Sequence, residues 1–300
     1  MSVRSGVQEW ASRPERGSQS AIRLGAWIAL RLGRRAAQVF LYPVCLYFLV
    51  SSPTALRNSR AYLQRVLGRR PRLVEVYRHF LTFGSCVLDR VYLLNEQERW
   101  FDIRAEGEEI VREIDRKGGG CLLFGAHFGS FETARVVGRR YRDLPISLLM
   151  YEANARKIRS ALAAINPRLA TEVIGLGRLD SLILLAERLR DGHFVGVLAD
   201  RNVDGKDMQR IDFLGAPAAF PQGPFRVALM LHRPVVMMAG VYKGRGRYEV
   251  RFELLAPARE TRPSDPQAWL DEIMHRYVAR LEALCREAPY NWFNFYDFWA

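Results

Sequence analysis

The sequence contains few cysteines, and their spacing excludes several kinds of protein. The four are Cys45, Cys86, Cys121 and Cys285, which are widely scattered and form no C-x-x-C pair. This argues against a cysteine zinc site and a disulfide framework, and it predicts reduced, packed thiols in a cytoplasmic compartment. The chain also lacks the G-x-S-x-G turn of serine hydrolases and the H-E-x-x-H spacing of zinc proteases, so neither chemistry is expected.

Lysine is almost absent as well. Of 45 lysine and arginine residues only Lys117, Lys157, Lys206 and Lys243 are lysines, and the formal net charge is +13. A positive chain favours anionic partners such as membrane headgroups, an acidic carrier protein or nucleic acid. Because the arginines are dispersed and no recognised nucleic-acid motif is present, no nucleic-acid partner is expected.

The sequence has no long uncharged apolar run. Residues 1–20 are polar and charged, with no cleavable signal pattern. Ala36–Val50 is uncharged and mostly apolar, but Pro43 interrupts it, and it is shorter than the roughly 20 residues that span a bilayer. Arginines just before this run favour an anionic membrane surface. We expect residues 1–52 to associate with a membrane; an interfacial or re-entrant segment, a tilted span and a helix packed on the core remain open.

The segment Gly118–Glu132 organises the rest of the chain. Its glycines predict a turn, a short apolar run predicts a buried strand, and a glycine-flanked loop then carries His127. A helical pattern follows over Phe131–Val137, with Ser130 as the expected N-cap and Glu132 in the first turn. The sequence therefore predicts a histidine at the carboxyl end of a strand, close to an acid.

A histidine next to an acid is a common arrangement for proton transfer. Imidazole can take a proton from a hydroxyl near neutral pH, and a carboxylate on the far ring nitrogen fixes its tautomer and stabilises the imidazolium. We interpret His127 as a general base and Glu132 as its orienting group, while Gly129 lets a substrate approach the backbone closely. The alternative is a histidine that only caps or packs against the helix start.

A second site segment follows Phe194–Leu198, a continuous apolar run typical of a strand buried on both faces of an α/β sheet. Asp200 and Arg201 come directly after it, and open α/β sheets bind ligands at that edge. These two residues are expected to share a crevice with His127 if the strands are neighbours. Arg201 could hold a phosphate or polarise a carbonyl; an ion pair between Asp200 and an arginine that braces the loop is the alternative.

The remaining elements are predicted from periodicity and turn residues. We expect helices over 53–100, 106–117, 178–190 and 263–287, strands over 146–150 and 171–174, and a hairpin of 234–242 with 248–255. Asp204–Gln222 is interpreted as a loop rich in glycine and proline. The aromatic tail Tyr290–Trp299 suits a membrane interface or a pocket mouth, or it docks on the core.

A resemblance to a known family joins these segments. His127–Glu132 resembles the H-x4-D/E motif of the glycerolipid acyltransferase superfamily, and Gly196–Arg201 and Phe213–Ala218 resemble its later blocks in order and spacing. Over nearly its whole length the chain looks most like the bacterial lipid A (lauroyl/myristoyl) acyltransferase branch. The resemblance implies an α/β fold with a central mixed sheet flanked by helices and an N-terminal membrane-associating helical segment. It also implies an acyltransferase domain over 53–300, with a helical lead-in over 53–117 and an α/β core over 118–300.

The implied activity is O-acyl transfer from an acyl thioester to a hydroxyl of a lipid A-type or related glycolipid acceptor. Acyl-carrier protein is the expected donor and partner, with acyl-CoA as the alternative co-substrate; neither a cofactor nor a metal is required. The matching residues imply substrate contacts from Gly129, Ser130, Asp200 and Arg201. A basic group at Arg156 would suit an anionic acceptor or the phosphopantetheine of a carrier; the alternative is an ordinary solvated helix face. The expected location is the cytoplasmic face of the bacterial inner membrane. The competing hypothesis is a non-catalytic basic protein that binds anionic membrane or nucleic acid.

Overall fold

The computed structural model describes residues 27–140, 144–151, 173–176, 179–201, 205 and 207–300. Its helices are α1 (Arg34–Ser51), α2 (Pro53–Leu67), α3 (Leu73–Leu94), α4 (Glu108–Arg116), α5 (Thr133–Arg139), α6 (Leu179–Arg190), α7 (Gly223–Leu231) and α8 (Pro266–Glu287), with a 3₁₀ turn at Glu98–Trp100. Its strands are β1 (Asp102–Glu106), β2 (Leu122–Gly125), β3 (Ile146–Tyr151), β4 (Val173–Leu176), β5 (Phe194–Leu198), β6 (Met208–Phe213), β7 (Ala216–Pro221), β8 (Val235–Gly244) and β9 (Arg247–Ala256).

A seven-stranded sheet forms the centre, in the order β1-β9-β8-β2-β5-β3-β4. All neighbours are parallel except β8 and β9, which form the predicted antiparallel hairpin. The sheet is therefore mixed and mostly parallel, and helices flank it, which confirms that part of the predicted fold. Strand β2 is buried along its whole length, because helices cover both faces of a parallel sheet.

Strand β1 was not predicted. It lies inside the segment expected to be a helical lead-in, and it pairs in parallel with β9 at the edge of the sheet, with Ile103 opposite Tyr248. Only Ile103 of this strand is fully buried. An edge strand with one buried side chain carries little apolar pattern, so the sequence gives no clear strand signal there.

The predicted loop Asp204–Gln222 is also partly wrong. Strands β6 and β7 form an antiparallel hairpin within it, outside the central sheet. Leu214 and Gly215 make the turn, with φ of 51° and 80°. Two-residue hairpin turns require such left-handed backbone, usually in Asn-Gly or Asp-Gly. A leucine at the first turn position hides the hairpin from a sequence-based prediction.

The N-terminal helices are tied to the sheet by a buried ion pair. Arg34 of α1 donates Nε to Oδ1 and Nη2 to Oδ2 of Asp89 in α3, over 2.8 and 2.9 Å. The Tyr248 hydroxyl of β9 donates to Asp89 Oδ2 over 2.8 Å. The carboxylate is fully buried, so loss of Arg34 would leave an uncompensated charge in the core.

Helix α1 turns an apolar side away from the protein. Its exposed large side chains are Val39, Phe40, Tyr42, Val44, Leu46, Tyr47, Phe48 and Val50. Within the described residues, no single helix has the length and apolar composition needed to cross a bilayer; α1 and α2 meet these criteria only as a pair, which is bent by 96°.

The aromatic tail docks on the core, which confirms that alternative for residues 290–299. Trp292 is completely buried, and its ring lies 4.8–5.2 Å from the rings of Tyr62, Phe213 and Phe298. Edge-to-face contacts of this kind add to the free energy gained by burying the rings. The tail therefore packs behind the edge of the sheet at which β2 and β5 end.

Candidate active site

The parallel pairing of β2 with β5 positions the site. Gly125, the last residue of β2, is opposite Leu198, the last residue of β5. The Tyr277 hydroxyl and the Ala199 amide both donate to the Gly125 carbonyl oxygen, over 2.8 and 3.0 Å. The segments that follow the two strands therefore begin at the same level, and they carry His127 and Asp200 to one edge of the sheet.

His127 and Asp200 form a close pair, as their placement at neighbouring strand ends predicts. The His127 Nδ1 lies 2.8 Å from Asp200 Oδ1, and the His127 backbone amide donates to Asp200 Oδ2 over 3.2 Å. The carboxylate is fully buried, whereas one third of the His127 side chain (33%) is exposed. The Asp200 carboxylate therefore faces the imidazole inside the protein, and its predicted contact with a substrate stays a prediction.

Arg201 approaches the same ring nitrogen, with Nε 2.9 Å from His127 Nδ1. One nitrogen cannot donate to a carboxylate and accept from a guanidinium at once. An ionised carboxylate is the stronger partner for an N–H, so we assign the Nδ1 proton to the bond with Asp200. The second ring nitrogen, Nε2, then carries a lone pair, and within the described residues it has no hydrogen-bond partner.

Burial and charge set the protonation states of this pair. Burial lowers the pKa of His127, the charge of Arg201 lowers it further, and Asp200 opposes both. Burial alone would raise the pKa of Asp200, but the charges of His127 and Arg201 and the two hydrogen bonds from His127 hold it well below its usual range. The pair at neutral pH is thus a neutral imidazole against an ionised carboxylate, which is the state that a general base requires.

Arg201 is itself mostly buried, with 9% of its side chain exposed. It donates Nη2 to the carbonyl oxygen of Phe293 over 3.3 Å, and its guanidinium lies 5.2 Å from the centre of the Tyr296 ring. These contacts fix the cation beside His127. The alternative was an ion pair between Asp200 and an arginine. Arg201 makes only a long one, with its Nε 4.0 Å from Asp200 Oδ2.

Glu132 does not occupy the orienting position that the H-x4-E spacing predicts. Its Oε1 pairs with Arg90 Nε over 2.7 Å, and its Oε2 accepts a hydrogen bond from the Ser130 hydroxyl over 3.1 Å. The structure places Asp200 at His127 Nδ1 instead. Arg90 lies on α3, and 44% of its side chain is exposed. No sequence motif pointed to Arg90, because strand β1 and helix α4 separate it from the segment Gly118–Glu132.

The predicted N-cap is wrong. Helix α5 begins at Thr133, with Glu132 at its N-cap position. The buried Ser130 hydroxyl donates to Glu132, and its predicted contact with a substrate stays a prediction. The Ser130 amide donates to the Gly240 carbonyl oxygen of β8 over 2.9 Å. This sheet-like bond keeps the backbone at Ser130 outside the helix, so the helix starts later than the sequence pattern predicts.

Gly129 also serves a packing purpose. Its φ is 58°, and a Cβ atom there would collide with the carbonyl oxygen of Gly240. The glycine is therefore required for the close approach of this loop to β8, and its predicted contact with substrate stays a prediction. Arg156, the other predicted substrate-binding residue, lies outside the described residues.

The carboxyl-terminal tail supplies a wall of the site that the sequence did not reveal. Phe293 donates its amide to the carbonyl oxygen of His127 over 2.7 Å, and Gly129 donates its amide to the carbonyl oxygen of Asn291 over 2.8 Å. Between these bonds, Trp292 forms an antiparallel bridge with Phe128. The dense aromatic composition of the tail was the only signal in the sequence, and it does not say which segment the tail contacts.

The titratable groups at the site do not form a recognisable metal centre. Among the residues that the structure describes, no group of three or more histidine, cysteine, aspartate or glutamate side chains is arranged to hold a metal ion. The chemistry that these residues can perform by themselves is proton transfer at Nε2 of His127, supported by Asp200.

A neutral histidine bonded to a buried carboxylate at the carboxyl edge of an α/β sheet is an arrangement suited to removing a proton from a hydroxyl. Sequence comparison identifies the family to which the chain belongs. The model of the family described as bacterial lipid A biosynthesis acyltransferase matches residues 25–300, and the chain belongs to this family. The predicted resemblance is thereby confirmed, and membership supports an acyltransferase that acts on lipid A-like substrates. No curated protein matches the chain in a second comparison.

Proposed function

We propose that the protein is a membrane-associated O-acyltransferase that moves a fatty acyl group from an acyl thioester to a hydroxyl of a lipid A-type or related glycolipid acceptor. Family membership supports the class of reaction and a lipid acceptor. The observation that carries the proposal is the His127–Asp200 pair. Its imidazole is neutral and one third exposed, and its Nε2 has no hydrogen-bond partner among the described residues. That nitrogen is the acceptor for the hydroxyl proton.

The proposed reaction proceeds by general base catalysis. His127 Nε2 removes the proton of the acceptor hydroxyl, and the oxygen attacks the thioester carbonyl carbon. The tetrahedral intermediate collapses, the C–S bond breaks, and the thiolate takes the proton back from the imidazolium. Asp200 stabilises the imidazolium through the Nδ1–H bond, so its ionised state is essential. The products are an ester and a free thiol.

Arg201 and Arg90 make the site electropositive. Arg201 lowers the pKa of His127 and keeps the ring neutral before the reaction; its charge also favours the negative oxygen of the tetrahedral intermediate. We assign Glu132 the role of holding Arg90 through the 2.7 Å ion pair. A half-exposed guanidinium fixed in this way favours an anionic part of a substrate, such as a phosphate.

We propose acyl-carrier protein as the donor, with acyl-CoA as the alternative. An acidic carrier suits a chain with a formal net charge of +13, because opposite charges accelerate encounter and orient the partners. Both donors end in a phosphopantetheine thioester, so the chemistry at His127 is the same for either one. The two are distinguished by supplying each in turn.

The decisive assay follows a labelled acyl group from acyl-carrier protein, or from acyl-CoA, into the total lipid extract of the native host. We expect a labelled lipid with the wild-type protein and a loss of about 100-fold or more with His127→Ala, since a general base contributes on that order. The mass of the product identifies the acceptor. A folded His127→Ala protein with full activity would overturn the mechanism, and absence of product with both donors would favour the non-catalytic binding protein.

Association with the cytoplasmic face of an inner membrane is part of the proposal. Phe40, Tyr47 and other apolar side chains of α1 are exposed, and apolar and aromatic side chains next to basic residues suit an anionic bilayer surface. We expect the wild-type protein to float with vesicles that contain anionic lipid, and Phe40→Ser/Tyr47→Ser to lose about tenfold or more of this binding. The matched control is Ile183→Ser/Met230→Ser, which removes exposed apolar side chains from α6 and α7. Equal flotation of all three proteins would contradict the proposed role of α1.

A further inference from the structure

The Asp200 carboxylate has a second donor that the proposed reaction does not use. The indole Nε1–H of Trp292 donates to Asp200 Oδ2 over 3.1 Å, and both side chains are completely buried. The His127 backbone amide donates to the same oxygen over 3.2 Å. Two donors therefore hold Oδ2, while Oδ1 faces the imidazole. The carboxylate cannot rotate without breaking these bonds.

Trp292 is itself held on both sides of its backbone. Its bridge with Phe128 runs next to the bond between the Phe293 amide and the His127 carbonyl oxygen. On the other side, Nε2 of the buried His79 in α3 lies 2.8 Å from the Trp292 carbonyl oxygen. A carbonyl only accepts, so this nitrogen of His79 carries a proton and donates. The indole is thus positioned by the site loop and by the helical layer together.

We propose that Trp292 is a positioning residue, which acts through Asp200 to hold the imidazole of His127 in its productive orientation. This inference rests on the proposed function of the His127–Asp200 pair. The tail then does more than cover the core: it supplies the third member of a chain of hydrogen bonds from Trp292 to Asp200 to His127. The effect of Trp292 on the reaction is expected to pass through the carboxylate, because the indole N–H donates to Asp200 Oδ2.

The sign of the expected electrostatic effect follows from the orientation of the N–H group. Its positive end points at the carboxylate, so it disfavours the addition of a proton to either Asp200 or His127. Removal of this N–H should raise the pKa of both groups. The acidic limb of the activity profile, which reports protonation of the essential base, should therefore move to higher pH.

The test compares Trp292→Phe with Trp299→Phe, a matched control. Trp299 also donates its indole Nε1–H, but to the carbonyl oxygen of Phe213 over 3.2 Å, away from Asp200. For Trp292→Phe we expect a kcat about tenfold lower, KM within about twofold, and an acidic limb shifted up by about half a pH unit or more. For Trp299→Phe we expect neither the kcat loss nor the shift.

Two further measurements separate positioning from a general loss of structure. Benzothienylalanine incorporated at position 292 keeps the shape of the ring and lacks the N–H; it should reproduce both effects with an unchanged melting temperature. When Trp292→Phe is added to Asp200→Asn, the double variant should be as active as Asp200→Asn alone. Additive losses, or a benzothienylalanine protein with the wild-type profile, would overturn the proposal.

An NMR titration of His127 makes the outcome independent of catalysis. The proposal requires the His127 pKa to be higher in the benzothienylalanine protein than in the wild type. If His127→Ala retained activity, the proposed function would fail while this titration still measured the Trp292–Asp200 contact. An unchanged titration alongside an inactive His127→Ala would overturn the role of Trp292 alone.

Discussion

Two histidines, the fully buried His79 and the partly exposed His127, show what separates a structural imidazole from one that can perform chemistry. Burial is the main cause that lowers the pKa of both. His79 has neutral partners: its Nδ1 lies 2.8 Å from the Ser59 hydroxyl and its Nε2 lies 2.8 Å from the Trp292 carbonyl oxygen. His127 instead has an ionised carboxylate at Nδ1 and, within the described part of the chain, no partner at Nε2.

The comparison teaches that a lowered pKa alone does not identify a base. Both ring nitrogens of His79 are used inside the protein, so this ring has no way to exchange a proton with a substrate. His127 combines a free acceptor with a buried negative charge that stabilises its protonated form during the reaction. Its placement at the sheet edge leaves one third of the side chain accessible. Access and a charged partner therefore distinguish the two sites.

Among the variants that test the difference between His79 and His127, we expect the largest loss of activity when the charged partner of His127 is removed. Asp200→Asn keeps the shape of the side chain but cannot balance the imidazolium, and we expect kcat to fall by about 100-fold or more. A melting curve close to that of the wild type would show that the loss arises from chemistry. Measurement of kcat and KM with the labelled donor provides the test.

Glu132→Gln is the matched control, because it removes the other nearby carboxylate charge. Glu132 contacts Arg90 rather than the ring, so we expect a loss of about tenfold that appears mainly in KM. Equal losses of kcat in the two variants would contradict the distinct roles assigned to the two acids. A larger loss in Glu132→Gln would restore Glu132 as the orienting group.

A smaller effect should appear in stability through His79. Burial lowers the pKa of His79 to about 4 from its ordinary value of 6.5, so the unfolded chain binds a proton more readily than the folded protein. The stability associated with neutral His79 is therefore fully present above about pH 6.5 and is lost progressively as the pH falls toward 4. Between pH 7.5 and pH 5 this linkage amounts to about 2 kcal/mol.

Urea unfolding at these two pH values measures that difference. In His79→Gln the acid-dependent loss should shrink by about 2 kcal/mol, although the variant should be less stable at pH 7.5, where the wild-type ring satisfies Ser59 and the Trp292 carbonyl. His127→Gln, as the comparison, should leave the stability at pH 7.5 closer to that of the wild type. An unaltered acid dependence in His79→Gln would show that the ring is protonated in the folded state.

Much of the site could be predicted from local sequence. The glycine turn, the short buried strand and the loop that follows placed His127 at a strand end, and the apolar run Phe194–Leu198 placed Asp200 and Arg201 at another. The buried ring of His79, with both nitrogens bonded, has a structural role. Sequence proximity favoured Glu132 as the partner of His127, but the partner in space is Asp200, 73 residues farther along the chain.

Apart from β1, the β6–β7 hairpin and the start of α5, the sequence by itself determined where strands and helices form. It also determined which polar residues stand at their ends, because those features depend on periodicity and on turn residues within short segments. The tertiary structure alone decided which of those polar residues meet. The parallel pairing of β2 with β5 brings Asp200 to the imidazole of His127. The bond from the Ser130 amide to β8 precedes the start of α5, where Glu132 pairs with Arg90. The docked tail brings Trp292 to the Asp200 carboxylate. Each of these contacts depends on strand order and long-range packing, which short-range patterns do not encode.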